Sequence, residues 1–414
     1  MASVVVMGAL DTKGAELQFV KDQIEARGHK TLVVDSGVLG EPAFAAHIPR
    51  AEVASAAGAS LADLVARNDR GTAVSAMSKG AEAIARRLLE QGRMDGIIAM
   101  GGGAGTSVGT AAMRALPLGI PKVMVSTLAS SDVRGYVGVK DIMMVPAIVD
   151  ISGLNRISRG VFTRAAAAIC GMVEARVPEG DDKPLITASM FGNTTKCVEA
   201  ARAIVEREGY EVLIFHAVGV GGQTMESLIE AGMISGVLDV TLTEWADELA
   251  GGVLSAGPHR LDAAPKTGTP AVYAPGCLDI INFWGPETIP EKYRNSRIYK
   301  HNERQYLVRT NVEESAELGR IIARKLNQSV GPAAVYVPLQ GISVISSPGG
   351  PYHWPEADAA LFEALRTNLR KDIPYHELDL NINDPEFARA MADGLLDMGL
   401  RGGKARPAAG KVKA

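Results

Sequence analysis

The sequence predicts an α/β fold made of two tandem doubly wound, Rossmann-like domains, each built on a mostly parallel sheet. Three observations carry this. Short runs rich in β-branched residues alternate with amphipathic helices, the pattern of parallel strands covered on both faces. One such run breaks into glycines and enters a helix at Met100-Gly101-Gly102-Gly103-Ala104-Gly105-Thr106-Ser107. The pattern then restarts after a polar, Pro/Gly-containing segment, Arg176-Val177-Pro178-Glu179-Gly180-Asp181-Asp182-Lys183-Pro184. A chain of 414 residues has room for two or three domains and a large core.

Taken in order, Val4-Val5-Val6-Met7 reads as the first strand and residues 15–26 as a helix ended by Gly28. Thr31-Leu32-Val33-Val34-Asp35 is the second strand. A helix around Met77 to Glu90 leads into Gly96-Ile97-Ile98-Ala99-Met100, the glycine turn and a helix over 108–116. Strands at Lys122–Ser126 and Asp141–Val145 follow. After the linker, Met7-Gly8-Ala9-Leu10-Asp11-Thr12-Lys13 is echoed by Met190-Phe191-Gly192-Asn193-Thr194-Thr195-Lys196. Residues 27–35 are likewise echoed by 208–216. Further strands are expected at 212–216, 237–242, 271–274 and 333–338, separated by loops at 251–270, 276–305 and 341–356. Loops of that length are often functional. The domains are therefore placed at 1–178 and 184–401, with 402–414 a basic, small-residue tail predicted to be disordered.

Bulk properties exclude several function classes. Hydrophobic residues make up 47% and charged residues 22%, an ordinary globular balance. A net charge of -4 gives no electrostatic footprint for direct nucleic-acid binding. No apolar run reaches the length of a membrane span, and the start lacks the charged region of a signal peptide. Cys170, Cys197 and Cys277 are few, odd in number and widely spaced, which points to reduced thiols and a cytoplasmic location. Cys277 invites a nucleophile reading, but no Cys–His spacing supports it, so a structural thiol is expected.

The glycine turn is the main candidate site. A strand that ends in glycines and opens a helix points bare backbone N–H groups and the positive helix end at one spot. That describes an anion site, with Gly101, Gly102, Gly103 and Gly105 admitting a phosphate and Thr106 and Ser107 capping the helix or touching a ligand oxygen. The loop has neither the Gly-Lys-Ser/Thr of a P-loop nor the G-x-G-x-x-G of a dinucleotide site, and a tight turn without a ligand is the alternative. Asp11-Thr12-Lys13, at the end of the first strand, offers a lysine for phosphate and an acid for a ribose or metal, or else simply caps the next helix. Asp35-Ser36-Gly37 offers a ribose-contacting acid or an Asx-type turn. Ser126 to Asp132, with Ser130 and Ser131, and Asp150 to Arg156 gather hydroxyls, acids and an amide at further strand ends, suited to phosphate or a hydrated Mg²⁺ or to turn chemistry. In the second half, Gly219 to Thr224 forms another candidate ligand loop. His259, Arg260 and Asp279 are the candidates for acid–base or electrostatic roles.

Together these motifs resemble the uncharacterised UPF0261 family, also called Tm-1-like ATP-binding proteins. The match rests on Gly8-Ala9-Leu10-Asp11-Thr12-Lys13-Gly14-Ala15-Glu16, Gly101 to Ser107, Asp150-Ile151-Ser152-Gly153-Leu154-Asn155, Thr243-Glu244, Gly257-Pro258-His259-Arg260-Leu261 and Pro275-Gly276-Cys277-Leu278-Asp279. It runs over nearly the whole chain. The resemblance implies a two-domain α/β protein that binds ATP and forms a homodimer. The plant member joins this region to a TIM-barrel-like module, which implies a separate barrel protein as a partner here. On this reading Asp11 to Lys13, Ser36, Gly101 to Ser107, Ser130 and Ser131 would hold ATP with Mg²⁺. Three functions stay open: ATP-dependent transfer to a small cosubstrate in an interdomain cleft, a non-enzymatic nucleotide-gated interaction protein, and a hydrolase or lyase acting on a small carboxylated or phosphorylated metabolite.

Overall fold

A computed structural model describes residues 1–178, 180 and 182–402, and the chain divides after Pro178 into two compact units. The first begins with β1 (Ser3–Gly8), α1 (Leu10–Glu25) and β2 (Lys30–Asp35), followed by α2 (Arg50–Ala56), α3 (Leu61–Arg67) and α4 (Arg70–Glu90). It continues with β3 (Gly96–Gly101), α5 (Gly103–Arg114), β4 (Lys122–Ser126), α6 (Arg134–Val137), β5 (Met143–Pro146) and α7 (Arg156–Glu174). The sheet order is β2-β1-β3-β4-β5 and every pair is parallel.

The continuous apolar run of β1 follows from this layering, because successive side chains point to opposite faces. Val5 and Met7 join the core made with α2, α4 and α5, including Val53, Met77, Ile84, Val108 and Ala112. Val4 and Val6 join the core made with α1 and α7, including Leu17, Val20, Val161 and Phe162. With helices on both sides, neither set can be polar.

The second unit repeats the plan with β6 (Leu185–Met190), α8 (Thr195–Arg207), β7 (Glu211–His216), α9 (Val220–Glu230), β8 (Ile234–Thr241), α10 (Thr243–Ala250), α11 (Ala263–Thr267) and β9 (Ala271–Gly276). Then come β10 (Ile280–Phe283), β11 (Ile298–Lys300), β12 (Tyr306–Arg309), α12 (Val312–Leu326), β13 (Ala333–Pro338), α13 (Pro355–Asn368), β14 (Tyr375–Leu378) and α14 (Pro385–Asp397). The main sheet runs β7-β6-β8-β9-β13-β14, all parallel, so its first five positions repeat the first unit's order. The first echoed motif runs from the end of each unit's opening strand, β1 and β6, into the helix after it, and the second leads into β2 and β7.

Three differences from the sequence expectations have physical causes. Helices α1, α4 and α5 start earlier than their apolar periodicity suggests, at Leu10, Arg70 and Gly103, because each first turn carries polar or glycine residues that hide the apolar period. The expected loop at 276–305 holds two strands of a small antiparallel sheet, ordered β10-β12-β11, and 251–270 contains α11. Strands of three or four residues are too short to show alternation. Of the tail expected at 402–414, only Gly402 lies within the described residues. Among the described residues no helix is long and apolar enough to cross a membrane.

Candidate functional site

The first unit's strand order reverses direction between β1 and β3, and in such sheets ligands bind beyond the carboxyl ends of the strands at that point. A cavity of about 520 Å³ lies there. The loops after β1, β2 and β3 all reach it: Asp11, Thr12 and Lys13; Ser36; and Gly101, Gly102, Gly103 and Gly105. An apolar wall is made by Val38 and Leu39 after β2, Leu64 and Val65 of α3, and Val74 and Met77 of α4, and the polar Asn68, Asp69 and Arg70 at the α3–α4 junction line the cavity too.

The glycines divide into two kinds. Gly101 and Gly105 are required by packing: a Cβ on Gly101 would lie 2.7 Å from the Cα of Gly105, and one on Gly105 would lie 3.2 Å from the carbonyl of Met100. Gly102 and Gly103 are not crowded in this way, since the nearest atoms to a built Cβ are 3.7 and 4.0 Å away. The first intrahelical bond of α5 runs from Thr106 N–H to the Gly102 carbonyl at 2.8 Å. The N–H groups of Gly103, Ala104 and Gly105 therefore have no acceptor inside the helix, and all three residues line the cavity. The result is an exposed helix start at the end of a strand, next to an open space, with room for a tetrahedral anion.

Asp11 does not cap α1. Its Oδ2 accepts from the backbone N–H of Leu39 at 2.7 Å and Gly40 at 3.1 Å, which fastens the segment after β2 to the start of α1. Its Oδ1 is buried against Gly37 and has no hydrogen-bond partner. Asp35 closes an Asx-type turn, accepting from Gly37 N–H at 2.9 Å, and also accepts from Leu10 N–H at 3.0 Å. Burial pushes its carboxyl above the usual range. The ammonium of Lys13 donates to the Ile151 carbonyl, and Glu16 accepts from Gly153 N–H, so the segment after β5 is tied to α1. Asp150, on that segment, lines the cavity. Asn155 closes the segment with a capping box: its Oδ1 accepts from Ile157 and Ser158 N–H at 2.9 Å each, and Ser158 Oγ accepts from Asn155 N–H. Asn155→Ala is therefore expected to cost the first unit about 1 kcal/mol, measurable by chemical denaturation followed by circular dichroism.

Other sequence-named residues lie outside the cavity lining. Thr106 is buried, with its hydroxyl 2.7 Å from that of Ser126. Ser107 donates to the Gly103 carbonyl at 3.0 Å, and Ser131 to that of Leu128 at 2.7 Å. Ser130 does not line the cavity either. Sequence reasoning missed the apolar wall, because Leu64, Val65 and Val74 carry no reactive group. A capping signal could have located α3 and the start of α4: Ser60 accepts from Asp63 N–H, and Asp69 from Thr72 N–H.

In the second unit the candidates occupy three different environments. Arg260 is 1% exposed and uses all five of its donors: Nε to Glu244 at 2.8 Å, Nη1 to Glu226 at 3.0 Å and Asp239 at 2.6 Å, Nη2 to Asp239 at 2.6 Å and the Thr241 carbonyl at 3.4 Å. Burial pushes the carboxyls of Glu226 and Glu244 up, with Arg260 pulling them back. Glu244 also accepts from the N–H groups of Gly219 at 2.8 Å and Gly222 at 3.1 Å. The start of α9, named above as a ligand loop, thus receives its anion from the chain itself. Asp279 is 0% exposed, its Oδ2 accepting from Ser343 at 2.7 Å, and burial raises its carboxyl. The His259 side chain is 88% exposed, with Nδ1 3.2 Å from Asp262. Cys277 is buried, and burial pushes its thiol well up. Among the described residues no group of three or more His, Cys, Asp or Glu could hold a metal ion.

The family model for the N-terminal domain of the uncharacterised protein family UPF0261 matches residues 2–178, and that for its C-terminal domain matches 183–399. The chain belongs to the UPF0261 family. A UPF0261 protein of Clostridium tetani is 50% identical over 397 residues, covering 95% of this chain and 98% of that one. The tomato ToMV resistance protein Tm-1(GCR237) is 39% identical over 342 residues, covering 80% of this chain and 45% of the tomato protein. Among solved structures, an esterase domain from Rhodothermus marinus is 15% identical at a TM-score of 0.28, over 51% of this chain and 84% of that one. So small an overlap says nothing about activity in this UPF0261 chain.

Proposed function

We propose that the first unit binds ATP, with the phosphates at Gly101 to Gly105 and the base against the apolar wall. The observation that carries this reading is that one cavity is lined both by free helix-start N–H groups and by a set of aliphatic side chains. That combination suits a ligand with a polyanionic end and a flat, weakly polar end. Lys13 and Arg70 line the cavity and supply positive charge, beside the carboxylates of Asp11, Asp69 and Asp150. Mg²⁺ keeps most of its waters and needs few protein ligands, so Asp150 alone would suffice to reach its hydration shell.

Titration calorimetry with ATP, with and without Mg²⁺, tests the site on wild type and on Gly103→Val. A Cβ at Gly103 meets nothing closer than 4.0 Å, so the variant is expected to fold, which circular dichroism checks. The added side chain should weaken ATP at least tenfold by crowding the phosphate seat. An absence of binding in wild type, or unchanged binding in the variant, would overturn the reading.

Nucleotide gating of an interaction is the favoured use of that site. It is supported by the state of the three catalytic candidates: Arg260 is saturated, Asp279 is enclosed and His259 stands in solvent. ADP released only with a small cosubstrate would instead favour ATP-dependent transfer. Product formation without nucleotide would favour the hydrolase or lyase reading. We also propose a homodimer in a reducing, cytoplasmic compartment, with a separate TIM-barrel protein as partner. The free, buried cysteines support the reducing compartment. Sedimentation tests the dimer and copurification the partner.

A further inference from the structure

Two stretches of the cavity's apolar wall are held very differently. Residues 36–40 are fixed: Gly37 N–H is bound by Asp35, Leu39 and Gly40 N–H by Asp11, and the Gly40 carbonyl accepts from Arg50. The other stretch, α3, is seven residues long, with Leu64 buried and Leu61 partly buried against the core. It is bracketed by two residues in the left-handed region, Gly58 at φ +72° and Asn68 at φ +47°. A helix of that length has little stability of its own, and one buried and one partly buried side chain make a small anchor.

Each stretch also exposes a large aliphatic side chain. Leu39 is 75% exposed and Val65 is 49% exposed. Exposed aliphatics scattered singly need no explanation, but these two line the same cavity. They also both line a second hollow, with Arg50 and Leu61.

We propose that Leu39 and Val65 form a clamp for the flat base of the nucleotide, and that α3 is the lid that closes it. The proposal rests on the ATP reading and adds what that reading leaves open: which side chains sense the base, and which element moves. Leu39 is the fixed jaw, tied through its own backbone to Asp11, which also lines the cavity. Val65 is the moving jaw. A base inserted between them removes apolar surface of both from water and gives α3 a further anchor beside Leu61 and Leu64. Closure is therefore driven by the base and not by the phosphates.

The test compares ATP with inorganic tripolyphosphate, which has the anion and no base. Both are titrated into wild type and into the double variant Leu39→Ser/Val65→Ser. The substituted side chains are exposed and the replacements uncharged, so the fold, checked by melting temperature, should hold. The expected result is an ATP affinity lowered about tenfold or more, with tripolyphosphate changed by less than about twofold. Hydrogen exchange adds an independent readout on wild type: amides of 61–67 should slow with ATP and stay unchanged with tripolyphosphate. Equal ATP affinity in wild type and variant, equal loss of both ligands, or α3 exchange unaffected by bound ATP would each overturn the clamp while leaving the ATP site standing. If wild type binds neither ligand, the ATP reading falls and the clamp with it.

Discussion

Replacing Arg260 with leucine is expected to destabilise the second unit by about 3–5 kcal/mol, the cost of breaking a buried ion pair by removing one partner. The residue sits among Asp239, Glu226 and Glu244, and its removal leaves three carboxylates buried with no cation among them. Burial opposes a charge on Arg260, but Asp239, then Glu244 and Glu226, override it and hold the guanidinium firmly protonated. The cluster also joins distant parts of the chain: Glu226 on α9 accepts from Leu261 and Ala263 N–H at 2.7 Å each, and Glu244 on α10 holds Gly219 and Gly222. All three tryptophans, Trp245, Trp284 and Trp354, lie in this unit, so tryptophan fluorescence in denaturant reports its unfolding in the full chain. Arg260→Lys keeps the charge but loses the bidentate fork to Asp239, and should fall between wild type and the leucine variant. A leucine variant within about 1 kcal/mol of wild type would show that the cluster is dispensable and would return Arg260 to the list of groups free for a ligand.

The fate of Arg260 shows what a sequence can and cannot specify about such a site. Gly257-Pro258-His259-Arg260-Leu261 looks functional because it concentrates ionisable groups in a glycine-containing loop. The chain alone does not reveal that Asp239, 21 positions away, and Glu226, 34 positions away, converge on the same guanidinium. The glycine loop was legible for the opposite reason. Its chemistry belongs to the local backbone, and a strand, glycines and a helix in succession specify it without long-range partners. Asp11 lies between these cases. Its place at the ligand edge follows from its position after β1, but its oxygen is spent on Leu39 and Gly40, a pairing set by the path of the chain after β2. The apolar lining of the cavity was invisible because a valine at a cavity wall and a valine in a core read alike. The parallel sheets were legible because both faces of every central strand had to be apolar. The three-stranded sheet was not, since β11 has three residues, all exposed.

The second unit should also lose stability as pH rises from about 4 to about 7, contrary to the usual behaviour of paired carboxylates. Asp247 is the cause. Burial raises its carboxyl from 3.8 to about 7, and the hydrogen bonds it accepts from Asn282 N–H at 2.7 Å and Nδ2 at 2.8 Å only partly offset that. Between these two values the folded state keeps a proton that the unfolded chain has released. Raising the pH then favours unfolding, until above about 7 the folded carboxyl must also ionise and the contribution is fully lost. A rise of this size corresponds to about 4 kcal/mol. Asp358, raised to about 6 mainly by burial, acts in the same direction over a narrower window. Asp262 acts in the opposite direction. Burial works against its charge, but Lys266, Lys325 and His259 lower its carboxyl to about 2, so its contribution is lost only below about pH 4. Comparison with Asp247→Asn isolates the term, since the remaining groups titrate alike in both proteins. The wild-type stability minus that of the variant should fall by about 4 kcal/mol from pH 4 to pH 8, read by tryptophan fluorescence in urea. A difference that stays flat across that range would mean that Asp247 ionises as an ordinary aspartate, and that Asn282 compensates its burial in full.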